Sequence, residues 1–150
     1  MPTVRKSLAD RITLVTGASR GIGKGIALAL AEQGATVYLT ARTMQATAPD
    51  LPGSLEETVD LVAERSGRGI AVQVDHGDDK QIAALFGQIA REQGRLYLLV
   101  NNAIGFQRDP VDIIKLGITA YLRRDAPCAL GRSRSIDNES RPNYFGTTFY

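Results

Sequence analysis

A doubly wound α/β fold, with parallel strands in the order 3-2-1-4 and helices on both faces, is the architecture this sequence predicts. Three observations predict it. Short β-branched apolar runs alternate with stretches of helical periodicity as far as Asn102. The first run leads straight into a glycine-rich turn, Thr16-Gly17-Ala18-Ser19-Arg20-Gly21-Ile22-Gly23. Each candidate helix carries its own start or stop signal. Strands separated by helices of ten or more residues must pair in parallel through right-handed crossovers, which yields the first half of such a sheet.

The elements follow in order. Ile12-Thr13-Leu14-Val15-Thr16 has the continuous apolar, β-branched character of a strand buried on both faces. Ile22, Ile26 and Leu30 then recur at helical spacing, with Ala27, Ala29 and Ala31 between them and Gly34 as the stop. Residues Ala35 to Ala41 read as the second strand, and Arg42 to Gly53, broken by Pro49 and Pro52, as a surface loop. Ser54 and Glu57 form a capping box for a helix with Leu55, Val59 and Val62 on one face, ending near Gly67. Gly69 to Val74 is a third strand. Asp78 caps a third helix, whose face is Ile82, Leu85, Phe86 and Ile89 and whose stop is Gly94. Leu96 to Val100 is the fourth strand.

Beyond Asn102 the character changes. Val111, Ile114, Ile118, Tyr121 and Leu122 fit one helical face, interrupted by Gly117, and from Pro127 onward the composition is that of an irregular tail. The expected organisation is a half-domain over residues 1–105 and a divergent, partly helical or disordered tail over 106–150.

Composition narrows the function classes. The 150 residues suffice for one domain with a real core, and 23% charged residues with a net charge of +2 point to no nucleic-acid partner. The single cysteine, Cys128, leaves no internal disulfide and suits a reducing compartment. No apolar run approaches the ~20 residues of a membrane span, and the opening Met1-Pro2-Thr3-Val4-Arg5-Lys6 lacks the apolar stretch of a signal peptide, so the expectation is a cytoplasmic protein without a membrane partner. No metal site is expected.

The glycine-rich turn carries the chemistry. Gly17 permits a sharp exit from the strand, Gly21 close approach of a ligand, and Gly23 tight packing of the helix on the sheet. The first turn of that helix presents unpaired N–H groups and a positive dipole end to an anion. Ligands of open parallel sheets bind beyond the carboxyl ends of the strands, and every candidate falls there. Gly17, Ser19, Arg20, Gly21, Ile22 and Gly23 follow strand one, Arg42 follows strand two, Asp75 and His76 follow strand three, and Asn101, Asn102 and Ala103 follow strand four.

The G-x-x-x-G-x-G spacing in this context closely resembles the short-chain dehydrogenase/reductase family, of Rossmann type, over residues 8 to about 105. Leu85-Phe86, Arg91 to Leu96 and Val100 to Ala103 bring it nearest to the family's dehydrogenase/reductase member 1 type. The resemblance implies a nicotinamide dinucleotide as partner, with Asp75 accepting from the adenine amine beside the His76 backbone, and Asn101 and Ala103 touching the nucleotide. Ile104 stands where the family has glycine, and Tyr97 where an acid is common. At the end of strand two an NAD site usually carries a carboxylate, whereas this chain has Ala41 and Arg42, with Arg20 in the neighbouring turn. Guanidinium groups there favour a 2′-phosphate, so NADP(H) is expected in preference to NAD(H).

The family's proton-delivering Tyr-x-x-x-Lys is not found. Tyr38 is followed four positions later by Arg42, Tyr97 by Asn101, Tyr121 by Asp125 and Tyr144 by Thr148, and Tyr150 is the last residue given. No catalytic residue is therefore assigned, and the expectation is a truncated, catalytically incompetent relative that retains coenzyme binding. The alternatives are a non-catalytic module pairing with an intact relative, or an inert gene remnant. Leu96 to Val100 would then be an exposed sheet edge prone to self-association or aggregation unless the tail covers it.

Overall fold

The computed structural model describes residues 6–46 and 52–103, together with the backbone of strands 118–122 and 145–149. β1 (Ile12–Thr16) is buried at every position and lies at the centre of the parallel part of the sheet. β2 (Thr36–Ala41) and β3 (Arg68–Gln73) extend the sheet on one side, and β4 (Leu98–Asn101) pairs with β1 on the other, all parallel. The expected 3-2-1-4 order is thus present.

Period-two alternation sorts the core into two faces. Val15, Val37, Leu39 and Ala41 pack with α1 (Gly21–Glu32) and α2 (Leu55–Glu64), whereas Ile12, Leu14 and Tyr38 pack with α3 (Asp79–Gln93). α1 buries Gly23, Ala27 and Ala31, small residues one helical turn apart that let its axis approach the sheet closely. α2 buries Leu55, Thr58 and Val62, and α3 buries Leu85 and Ile89.

The boundary signals act as chemistry requires. The Ser54 hydroxyl accepts from the Glu57 amide at 3.1 Å, one half of the expected capping box, but the Glu57 carboxylate turns instead to Lys24 of α1 at 2.5 Å, joining the two helices of one face. Asp78 caps α3 by accepting from the Lys80 amide at 2.9 Å, and Gly94 ends it in the left-handed conformation. α2 stops at Glu64, short of Gly67, because Ser66 turns left-handed at φ of +62° and the Ser66 and Gly67 amides close the helix end on the carbonyls of Ala63 (3.0 Å) and Val62 (3.1 Å). β4 begins two residues later than expected. Tyr97 ahead of it donates its amide to the Ile12 carbonyl at 2.8 Å, and the Arg11 guanidinium lies 4.5 Å from its ring centroid.

The tail departs from expectation. Ile118–Leu122 forms β5, antiparallel to β4, and Phe145–Phe149 forms β6, antiparallel to β5, so the sheet reads β3-β2-β1-β4-β5-β6. The helical face proposed through Ile118, Tyr121 and Leu122 is therefore wrong for those three residues. Ile118, Thr119 and Tyr121 are of β-favouring types, and the open edge of β4 offers backbone partners that an isolated amphipathic helix would not use. Val111 and Ile114 lie outside the described residues. Of the two outcomes expected for the β4 edge, exposed or covered by the tail, the structure shows the second, since β5 pairs along it. Among the described residues no helix is long and apolar enough to cross a membrane.

Candidate functional site

Thr16, the last residue of β1, organises the floor of the site. Its buried hydroxyl accepts from the backbone amides of Asn102 (2.9 Å) and Ala103 (2.8 Å) and lies 3.3 Å from Asn101 Oδ1, to which it donates. The Asn102 side-chain amide reaches back and donates to the carbonyls of Thr16 (3.0 Å) and Gly17 (3.1 Å). Two strand ends far apart in sequence are thereby tied into one platform.

On that platform stands the glycine-rich turn. Gly17 has φ of +68°, and a Cβ there would lie 3.0 Å from Ala103 Cα and from Asn102 Nδ2. Gly23 is tighter still, since its Cβ would collide with the Gly17 carbonyl oxygen and Asn102 Nδ2. This is more specific than the close helix–sheet packing expected of Gly23, because the atoms it must clear belong to the cradle itself. Gly21 needs glycine for its φ of +57°, with nothing within 4 Å of the position a Cβ would take.

The start of α1 is built to receive negative charge. Arg20 occupies the N-cap position in extended conformation, no side chain caps the helix, and its first turn holds no acidic residue. The N–H groups there are available to a ligand, with the positive end of the helix dipole behind them. Ile22 in that first turn is 65% exposed, a large apolar side chain at the mouth of the site. Ser19 is buried beneath, and the Ala18 carbonyl accepts from the buried Thr58 hydroxyl of α2 at 3.0 Å.

The remaining candidates share the same sheet edge. Arg42 is exposed just beyond β2, and its carbonyl accepts from Gln73 Nε2 at 2.8 Å. Asp75 is exposed; its Oδ1 accepts from the Gly77 amide at 2.9 Å, while its own amide donates to Gln81 Oε1 at 2.8 Å. His76 is half-buried, and its Nε2 lies 2.7 Å from the hydroxyl of buried Thr40, bonding the ends of β2 and β3. Burial holds the His76 imidazole below its ordinary pKa, against the opposing pull of the Asp75 carboxylate.

The structure therefore joins the turn 17–23 directly to Asn101, Asn102 and Ala103, and sets Arg42, Asp75 and His76 on neighbouring strand ends. Asn101 and Ala103, expected to touch a nucleotide, are tied to Thr16 here. Thr16, Asn102 and Thr58 do much of the positioning; Asn102 was a candidate at the end of strand four, whereas Thr16 and Thr58 were not among the expected site residues. Asn102 was legible as part of the Asn-Asn-Ala run, but the partners of Thr16 and Thr58 are carbonyls and amides that sequence does not display.

Fold and site together define a Rossmann-type α/β protein with a glycine cradle at the carboxyl edge of its first strand, the class of fold that holds dinucleotides. The profile of the short chain dehydrogenase family matches residues 11–116, and the chain belongs to that family of oxidoreductases, whose members bind nicotinamide cofactors. It is 44% identical over 97 residues to dehydrogenase/reductase SDR family member 1 of Mus musculus, a match covering 64% of this chain and 28% of that protein. A metagenomic short-chain oxidoreductase in complex with NADP superposes with a TM-score of 0.60 at 33% identity, over 71% of this chain and 45% of that one. Carveol dehydrogenase from Mycobacterium avium in complex with NAD does so with a TM-score of 0.55 at 29% identity, over 67% and 37%. The matches thus span under half the length of these relatives.

Proposed function

We propose that this chain binds a nicotinamide dinucleotide through the cradle at the start of α1, taking NADP(H) in preference to NAD(H). The observation that carries the reading is the uncapped, acid-free start of α1, held open by Gly17, Gly21 and Gly23 and tied to the sheet by Asn102. These features suit a pyrophosphate: amide donors converge, the dipole favours an anion, and no side chain competes. Gly17, Ser19, Arg20, Gly21, Ile22 and Gly23 would hold that part of the coenzyme, with Ile22 offering apolar surface at the mouth. Asp75 and the His76 backbone would meet the adenine, and Asn101 and Ala103 would touch the nucleotide from the end of β4.

The preference for NADP(H) is supported by Arg20 and by exposed Arg42, with Ala41 rather than a carboxylate ending β2. Each well-placed guanidinium contributes about 1.5–3 kcal/mol through charge-assisted hydrogen bonds to a phosphate. When bound, the nicotinamide supplies hydride-transfer chemistry, the reaction of the family, with a carbonyl or alcohol as the other partner. Proton delivery in that reaction calls for a Tyr-x-x-x-Lys pair, and none of Tyr38, Tyr97, Tyr121 and Tyr144 has a lysine four positions on. We infer that these residues bind coenzyme without turning it over.

Calorimetric titration with NADPH and NADH, alongside a carbonyl-reduction assay, tests the proposal. Binding of both, tighter for NADPH and without turnover, is expected. Failure to bind either coenzyme refutes it, and turnover refutes the inference of inactivity.

A further inference from the structure

We propose that Gly53 and the first turn of α2 form a bracket that sets the position of the Arg20 guanidinium relative to the Arg42 segment, making Gly53 a positioning residue for coenzyme selection. The inference rests on the proposed NADP(H) preference and names the part of the fold that would enforce it. Gly53 adopts φ of +106°, a conformation that L side chains rarely adopt. A Cβ there would stand 2.6 Å from the Ser19 carbonyl oxygen and 3.0 Å from Arg20 Cβ, so the segment lies directly on the cradle. In that position the Gly53 carbonyl accepts from Arg20 Nη2 at 3.2 Å.

The same turn grips both sides. Toward the cradle, Thr58 donates to the Ala18 carbonyl and Glu57 pairs with Lys24. Toward Arg42, the amides of Leu55 and Glu56 donate to the carbonyls of Thr43 and Met44, each at 3.2 Å, and these are the two residues that follow Arg42. One helix start therefore joins the two arginine-bearing segments, which β1 and β2 alone leave to separate loops. A guanidinium is a rigid fork of five N–H donors, so the bond to Gly53 fixes its plane and leaves donors for a phosphate. A lysine ammonium at the same place keeps the charge without the fork.

Calorimetric dissociation constants for NADPH and NADH, measured on the whole chain, test the bracket. Gly53→Ala is expected to weaken NADPH about tenfold, the worth of one charge-assisted hydrogen bond, and NADH by less than about threefold. Arg20→Lys, which keeps the charge and leaves glycine at position 53, is expected to lose a comparable share of the preference. In an Arg20→Ala background, Gly53→Ala should leave the ratio where it is. Equal weakening of both coenzymes by Gly53→Ala overturns the bracket, as does a ratio unchanged in Arg20→Lys. If Arg20→Ala moves the ratio while the other variants do not, the NADP(H) reading survives and the bracket falls. If the unmodified protein binds neither coenzyme, both fall.

Discussion

Replacing Thr16 by valine removes one hydroxyl at nearly constant volume and tests whether the platform under the cradle depends on it. That hydroxyl satisfies the amides of Asn102 and Ala103 at 2.9 and 2.8 Å. Both residues are only half-buried, so water can partly replace the lost acceptor, and the cost is taken near the low end of the range, about 1 kcal/mol for each amide. The added methyl recovers up to about 0.8 kcal/mol by burial. The net loss is then roughly 1–2 kcal/mol, or about 2–8 °C in Tm for a domain of this size. Thr16→Ser keeps the hydroxyl and loses a buried methyl, so it lowers stability by a similar amount for a different reason. Amide hydrogen exchange separates the two. Protection at Asn102 and Ala103 should fall in Thr16→Val and persist in Thr16→Ser. Unchanged protection at both amides in Thr16→Val would refute the role given to Thr16.

Two further outcomes follow from the site. Gly23→Ala forces a methyl onto the Gly17 carbonyl and Asn102 Nδ2; a loss of about 2–4 kcal/mol in urea unfolding is expected, by overpacking and by breaking the Asn102 bonds, together with loss of coenzyme binding. A variant as stable as the parent would show that the cradle is looser than described. His76 is held below its ordinary value of 6.5, so the unfolded chain binds the proton first as pH falls. The stabilisation is complete above pH 6.5 and is lost as pH drops through the depressed folded value. The urea midpoint should therefore decline on acidification below pH 6.5, and less so in His76→Gln; equal declines in both proteins would count against the histidine.

The local frame was legible in the amino-acid order because it depends on near neighbours. The periodicities of 2 and 3.6, the Ser54 and Asp78 caps, the Gly34 and Gly94 stops and the glycine spacing all express backbone geometry within a few residues. Parallel pairing and the 3-2-1-4 order followed, since helices of this length between strands permit little else. Tertiary structure alone decided whatever joins distant segments through backbone groups. Thr16 meets Asn102 across 86 positions, Arg20 meets the Gly53 carbonyl across 33, and His76 reaches Thr40 across 36. It also decided the fate of Ile118–Leu122, where an open strand edge with unpaired N–H and C=O groups outcompeted a helical pattern that five apolar residues suggested. Side-chain periodicity reports what a segment can bury, whereas the backbone partner it takes depends on which edge the rest of the chain leaves unpaired.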